Sequence, residues 1–211
     1  MTHSLHRRGT NESLENDYVM LITAASGINH VGSKELMSKV LDVVWEIGPD
    51  NIGSNESGTI LSGVTVEEIR ASFTDVPRVR CNYASKQKAF ACIKKLKELD
   101  TGMSVTVSGP TGDILSMCRE LAIKPHSINL SLDIWGKKEK LPSEEVLELL
   151  TMCGHGLISK YLIEEIIDKV KKGKMTPKKA AEKIGHPCVC GIYNPVRAEE
   201  LLQKYVPRDK S

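Results

Sequence analysis

The chain is poor in aromatics, with two Phe, two Trp and five Tyr among 211 residues, so any core it buries has to be built mainly from Leu, Ile and Val. It has no apolar run near the roughly 18 to 20 residues that cross a bilayer. Its start, Met-Thr-His-Ser-Leu-His-Arg-Arg, lacks the apolar centre of a signal peptide. Those two absences predict a cytoplasmic protein with no membrane partner. Neither sign of charge dominates: the net charge of +2 is too small to name a polyanionic partner by itself. No Ser/His/Asp order or paired-carboxylate motif stands out, so whether the chain is an enzyme is left open. Six cysteines would allow three disulfides. A chain of this size with no secretory signal, and with three of those cysteines close together, instead predicts metal or redox chemistry in a reducing compartment.

What is present divides the chain. Residues 1–17 are polar, with Arg7, Arg8, Gly9, Asn11 and Asn16, and are expected to form a flexible tail. From Tyr18 short apolar runs alternate with helical periodicity. Strands are predicted over 19–24, 79–83, 103–107 and 127–135, and helices over 33–47, 66–73, 85–99 and 112–121. The stretch 51–63, rich in Gly, Ser and Asn, reads as a loop with one short strand near 59–61. This order predicts an α/β (α+β) domain over 18–136, with helices packed on a small mixed sheet. Beyond the charged connection 136–142 no strand pattern appears. Residues 137–211 predict an all-α helical bundle: Ser143 caps one helix, a second spans 157–172, and Thr176-Pro177 and Asn194-Pro195 open two more. In the second helix Leu157, Ile158, Tyr161, Leu162, Ile166 and Val170 form the expected apolar stripe.

Chemistry concentrates in that last segment. Cys153-Gly154-His155-Gly156 is followed 35 positions after Cys153 by Cys188, within His186-Pro187-Cys188-Val189-Cys190-Gly191. Thiolates and neutral imidazoles hold zinc and iron-sulfur clusters, and neighbouring glycines let backbone amides approach the sulfurs. Cys153, Cys188 and Cys190 are therefore the candidate metal ligands, with His155, His186 or Cys118 as a fourth. Three thiols and an imidazole suit an iron-sulfur cluster or a Cys3His zinc ion, and three buried, inert core cysteines are the bland alternative. Cys81, on a strand, and Cys92, on an apolar helix face, are expected to be core.

A Cys followed by a Gly-Leu-Ile helix start, a Thr-Pro-opened helix, Cys-x-Cys with Tyr193 three residues on, and a final helix resemble the helical [2Fe-2S] domain of the molybdenum hydroxylases, the xanthine dehydrogenase and aldehyde oxidoreductase family. The resemblance covers about residues 150 to 205. Cys153, Gly156, Cys188, Cys190 and Tyr193 fall on the family's pattern; Leu150 stands where its first cysteine would be, and Val189 and Gly191-Ile192 replace its Arg and Thr-Gly. The resemblance implies a bound cluster and a role in electron transfer or as an assembly or accessory protein of an anaerobic redox system, with a redox enzyme or complex as protein partner. The alternative is a non-catalytic protein-binding scaffold whose helical domain holds structural zinc or no metal.

Two further features carry weaker expectations. Gly27-Ile28-Asn29-His30-Val31-Gly32-Ser33-Lys34 joins a strand to a helix, the setting in which backbone amides cradle phosphate. Gly27, Gly32, Ser33 and Lys34 are thus candidate phosphate or nucleotide contacts, although Ser33 precedes Lys34 instead of following it. From Lys137 onward 15 basic side chains face 11 acidic ones, and Lys169, Lys171, Lys172, Lys174, Lys178, Lys179 and Lys183 concentrate the excess. That face reads as solvated, with an acidic protein or RNA as the sharper alternative.

Overall fold

The computed structural model describes residues 6–207. Positions 1–5 of the expected tail and 208–211 lie outside the described residues.

Five strands form one sheet in the order β3-β2-β4-β1-β5: β1 (Tyr18–Thr23), β2 (Asn51–Ser54), β3 (Gly58–Thr59), β4 (Arg78–Tyr83) and β5 (Ser104–Ser108). Every pairing is antiparallel, which corrects the expected mixed sheet. The physical reason lies in the connections. Strands β1 and β2 both run against β4 and so are parallel to each other, joined through helix α2 (Ser33–Ile47) with β4 inserted between them. Strands β4 and β5 are likewise joined through α4 (Lys86–Leu99) around β1. Two such split β-α-β units give the same strand-helix alternation in sequence as adjacent parallel strands.

Two other strand expectations change. The stretch read as loop contains β2, paired with β4 and with β3. Its composition hid it because Gly53 is required in the strand: a Cβ there would lie 2.6 Å from the Gly58 carbonyl oxygen. Conversely, no strand forms over 127–135. Ile128, Leu130, Leu132 and Trp135 are exposed there, since alternation makes a strand only where a neighbour supplies both a ladder and a covered face.

The sheet's two faces differ. On one, Tyr18, Met20, Ile22, Ile52, Val79, Cys81 and Tyr83 pack against Met37, Val40, Leu41 and Val44 of α2 and Ala89, Cys92, Ile93 and Leu96 of α4. Cys81 and Cys92 are core, as expected. Helix α3 (Val66–Ala71) closes one end of this layer through Ile69, and α5 (Thr111–Glu120) the other through Met117. The opposite face carries Val19, Arg80 and Asn82, with Asn51 level with Asn82 and Gly53 level with Arg80. It is covered by α6 (Glu144–Leu150), α7 (Lys160–Lys171), α8 (Pro177–Gly185) and α9 (Pro195–Gln203), whose apolar core includes Val19. The segments 18–136 and 137–207 are therefore packed layers that share one face of the sheet.

The caps of the helical layer follow the sequence. Thr176 accepts from the Lys179 amide and Asn194 from the Arg197 amide, each with proline in the first turn. Helix α7 begins later than expected, at Lys160 under a Ser159 cap. Its buried stripe is consequently Ile163, Ile166, Ile167 and Val170, while Leu157 and Tyr161 are exposed. Gly156, at φ 69°, holds the preceding loop in the left-handed region and delays the helix.

The described part of the expected tail is tied down. Residues Asn11–Leu14 form α1, with Thr10 as cap, and the Arg8 amide donates to Thr151 Oγ1 at 2.9 Å. Asp17, fully enclosed, takes Arg197 Nη1 at 3.0 Å and Arg7 Nη1 at 3.2 Å on one oxygen. Asn82 and Asn194 donate to its other oxygen at 2.8 and 3.1 Å. One carboxylate thus joins the first residues, the sheet and α9.

Candidate thiol centre

Three of the six cysteines meet. Cys153 lies in the turn after α6, and Cys188 and Cys190 lie in the connection from α8 to α9; all three are buried in the core of the helical layer. Cys188 acts on the ionisation of both Cys153 and Cys190. His155 joins them from the solvent side, its Nδ1 3.5 Å from Cys190 Sγ. The turns do the positioning. Gly185 lies flat under the Tyr193 ring, where a Cβ would come within 2.5 Å of it, and the Tyr193 hydroxyl donates to the Ala181 carbonyl at 3.0 Å. Gly191, at φ 86°, lets the Cys190 turn approach the sheet so closely that a Cβ would stand 2.2 Å from the Gly53 nitrogen and 2.9 Å from the Arg80 oxygen.

The electrostatics of the set are not those of inert core thiols. The Cys188 hydrogen bond holds Cys153 down to about 5 against the upward push of burial, helped by the backbone amides of Leu157, His155 and Ile158. A hydrogen bond from Cys188 likewise lowers Cys190 to about 6, with further help from the Ile192 amide and the charges of His155 and Arg80. Cys188 moves the opposite way, raised by its interactions with Cys153 and Cys190 and by burial. By contrast burial, the largest cause at each, drives Cys81 well above its ordinary value and Cys92 to about 11.

The donor set has the chemistry that a thiophilic cation needs: three sulfurs, an imidazole, and backbone amides aimed at two of the sulfurs. As they stand, no group of three or more His, Cys, Asp or Glu side chains among the described residues is placed to hold a metal ion.

The remaining sequence candidates lie elsewhere. His186 is exposed at the C-terminal cap of α8, and Cys118 is half-buried on α5. In the Gly27–Lys34 loop the donors are spent internally. The Gly27 amide donates to His30 Nδ1 at 2.9 Å and the Ser33 hydroxyl to the His30 carbonyl at 2.6 Å; Lys34 faces Asp75 at 3.4 Å. On the basic face Lys169 pairs with Glu165 and Lys172 with Asp168 one turn away, while Lys171, Lys178, Lys179 and Lys183 are solvated. A surface cleft of about 620 Å3 opens between α1 and the start of α5, past Arg7, Asp17, Ser108 and Asp113. None of the cysteines lines it. Among the described residues no helix is long and apolar enough to cross a membrane.

Sequence reasoning missed Arg80. An arginine inside a strand reads as a solvent-facing residue, yet this one is 6% exposed on the face toward the thiols, and its Nε and Nη1 have no hydrogen-bond partner. The available signal was Cys81, whose neighbours on an alternating strand must face the other way. No protein-family model, curated protein or solved structure matches the chain.

Proposed function

We propose that this chain is a metal-binding, non-catalytic module in which Cys153, Cys188, Cys190 and His155 hold one zinc ion, joining the α6–α7 turn to the α8–α9 turn. The observation that carries this reading is the convergence of Cys153, Cys188 and Cys190 in one buried cluster, with His155 Nδ1 3.5 Å from Cys190 Sγ. Four protein donors are the mark of a structural site, because a catalytic zinc keeps a position for water or substrate. When bound, the ion supplies a cross-link between the two turns.

The chain's own residues do the rest. Cys153 and Cys190 are held below the ordinary thiol value and Cys188 above it, so Cys188 is the thiol whose proton loading must displace. The amides of His155, Leu157, Ile158 and Ile192 share the negative charge on the sulfurs. Anaerobic purification under reducing conditions, followed by elemental analysis and a visible spectrum, tests the assignment. One zinc per chain and a colourless solution are expected. Iron with sulfide and a brown chromophore would replace it with the electron-transfer reading, and a thiol set that takes neither would remove both.

A further inference from the structure

Two neighbouring stretches of backbone lack a strand partner, and neither carries the features that usually keep such backbone from pairing. Strand β5 is one edge of the sheet, and among the described residues the backbone of 104–107 hydrogen-bonds to β1 alone. An open edge is a template for another strand, and proteins blunt it with lysine, proline, a bulge or sheer brevity. The opposite edge, β3, is two residues long. Strand β5 reads Ser-Val-Thr-Val-Ser, with no charge and no proline, and its Val105 is 39% exposed. The second stretch is 127–132, Ser-Ile-Asn-Leu-Ser-Leu, which alternates strictly, also lacks charge and proline and lies in no helix or strand. Its far end is anchored. Asp133, at φ 72°, turns the chain there and is paired with Arg8 and with Lys138, while the Trp135 indole donates to the Leu132 carbonyl at 3.0 Å. That turn presents Ile128, Leu130, Leu132 and Trp135 to water, each 56 to 81% exposed. Together they leave about 500 Å2 of mainly apolar surface uncovered, as much as the largest patch on a typical soluble monomer.

The two stretches lie close together, since Asn129, Leu130 and Ser131 line the same cleft as Ser108 at the end of β5. We infer that this face is the interface of a homodimer in which each copy lays its 127–132 segment along 104–107 of the other, so that each five-stranded sheet gains a sixth strand. A second copy is the occupant because the face carries both halves of the pairing, an alternating donor and an open acceptor of nearly equal length. A twofold axis satisfies donor and acceptor in both copies at once, whereas a foreign peptide added to β5 would leave the donor in water. Neither stretch bears charge, so two copies meet without like-charge repulsion across the strands. Val105 and Val107 stand beside Ile22 and Met20, on the side packed by α2 and α4, and alternation lets Ile128, Leu130 and Leu132 continue that side. Adding the backbone ladder and the Val105 edge to the exposed side chains brings each copy toward the roughly 800 Å2 per partner of a stable interface. No cysteine takes part, so the pairing is independent of metal.

Sedimentation equilibrium of the full, reduced chain over a wide range of concentration, paired with amide hydrogen exchange at 104–107, tests the interface. The wild type should sediment at twice the chain mass of 23.3 kDa, with those edge amides slowed. Leu130→Lys and Val105→Lys put a charge on the donor and on the acceptor, the device by which natural edges refuse pairing, and each should weaken the dimer about tenfold or more. Leu130→Lys leaves β5 itself untouched, yet it should speed exchange at 104–107. Leu130 is exposed in the single chain, so the dissociated variant should stay folded; should Val105→Lys fail to fold, Leu130→Lys and Leu132→Lys carry the comparison. Tyr161→Lys, at an equally exposed position on α7, should remain dimeric, and its dissociation would mean nonspecific association and overturn the pairing. A monomeric wild type would overturn the inference, whether its edge amides are protected, as when the segment closes on its own chain, or exchange freely, as when a foreign peptide is the true occupant. A dimer that survives Leu130→Lys, or one that this variant dissociates with no loss of protection at 104–107, would place the interface elsewhere and overturn it as well.

Discussion

The two faces of the sheet bury cysteines to opposite effect. On the α2/α4 face Cys81 and Cys92 sit among aliphatic side chains, and burial does the only thing it can to a thiol, which is to keep it protonated. On the other face Cys153, Cys188 and Cys190 are equally enclosed, but they meet one another, several amides and an arginine, and two of them ionise more readily than in water. Depth of burial therefore does not decide the chemistry of a thiol. The groups that complete its shell do.

The widest gap expected between the faces is in metal loading. Cys188→Ala removes one of the three clustered sulfurs and should reduce bound zinc from one per chain to none, whereas Cys92→Ala should leave the stoichiometry intact. Equal stoichiometries by elemental analysis would erase the distinction. The pH dependence sharpens it. Metal competes with protons at the sulfurs, so affinity falls as pH falls. The thiol contribution should lose about tenfold per pH unit while only Cys188 must deprotonate, and lose more steeply once pH passes below about 6 and then about 5, where Cys190 and Cys153 protonate. A slope of three protons per ion already at pH 7.5 would mean that all three thiols are ordinary.

Next in size are breaks at the layer interface itself. Asp17→Ala strips the carboxylate from Arg7 and Arg197, leaving enclosed guanidinium groups with no counter-charge. About 3 to 5 kcal/mol of stability should be lost, measurable by urea unfolding. A loss below about 1 kcal/mol would show that the cluster does not hold the layers together. Gly191→Ala should cost on the order of 3 kcal/mol, because it adds both a positive-φ penalty and a methyl group pressed against the Gly53 backbone. A substitution of similar type at Gly136, also positive in φ but with open space around it, should cost only the backbone part. The difference between the two variants isolates the close approach.

How much of this was legible in the chain follows the same division. The apolar face was readable because its signals are local: helical periodicity in α2 and α4, alternation in β1 and β4, and caps at Ser85, Thr176 and Asn194 all act within one element. The polar face was not. Nothing near Arg80 or Asp17 in the sequence says that α6–α9 will cover them, and Arg197 looks like a surface residue of α9 until Asp17, 180 positions away, is seen to bind it. The unpaired stretch 127–135 failed for the converse reason, since its alternation is real but nothing pairs with it. The thiols lie between these cases. Their clustering along the chain pointed to a common site, but their arrangement, with His155 beside Cys190, depends on how two distant turns meet.

The smallest expected effect comes from a polar contact near the α2/α4 core that can be removed without touching the layer interface. The enclosed Tyr18 hydroxyl donates to Asp113 Oδ2 at 2.6 Å, and Asp113 is also held by Lys86 at 2.5 Å. Tyr18→Phe keeps the ring and deletes a single hydrogen bond, so it should cost about 1 kcal/mol. The pH signature can be assigned in advance. Lys86 first and Tyr18 second hold the Asp113 carboxyl below its ordinary value. The stability it contributes is therefore present above the unfolded carboxyl pKa and is lost as pH falls through the folded value. In Tyr18→Phe that acid-side loss should shrink but persist, because Lys86 remains. Lys86→Met should shrink it further, and metal loading should be unchanged in both variants. A change in zinc affinity on Tyr18→Phe would mean that the two faces are energetically coupled through β1, and the separation drawn between them would have to be abandoned.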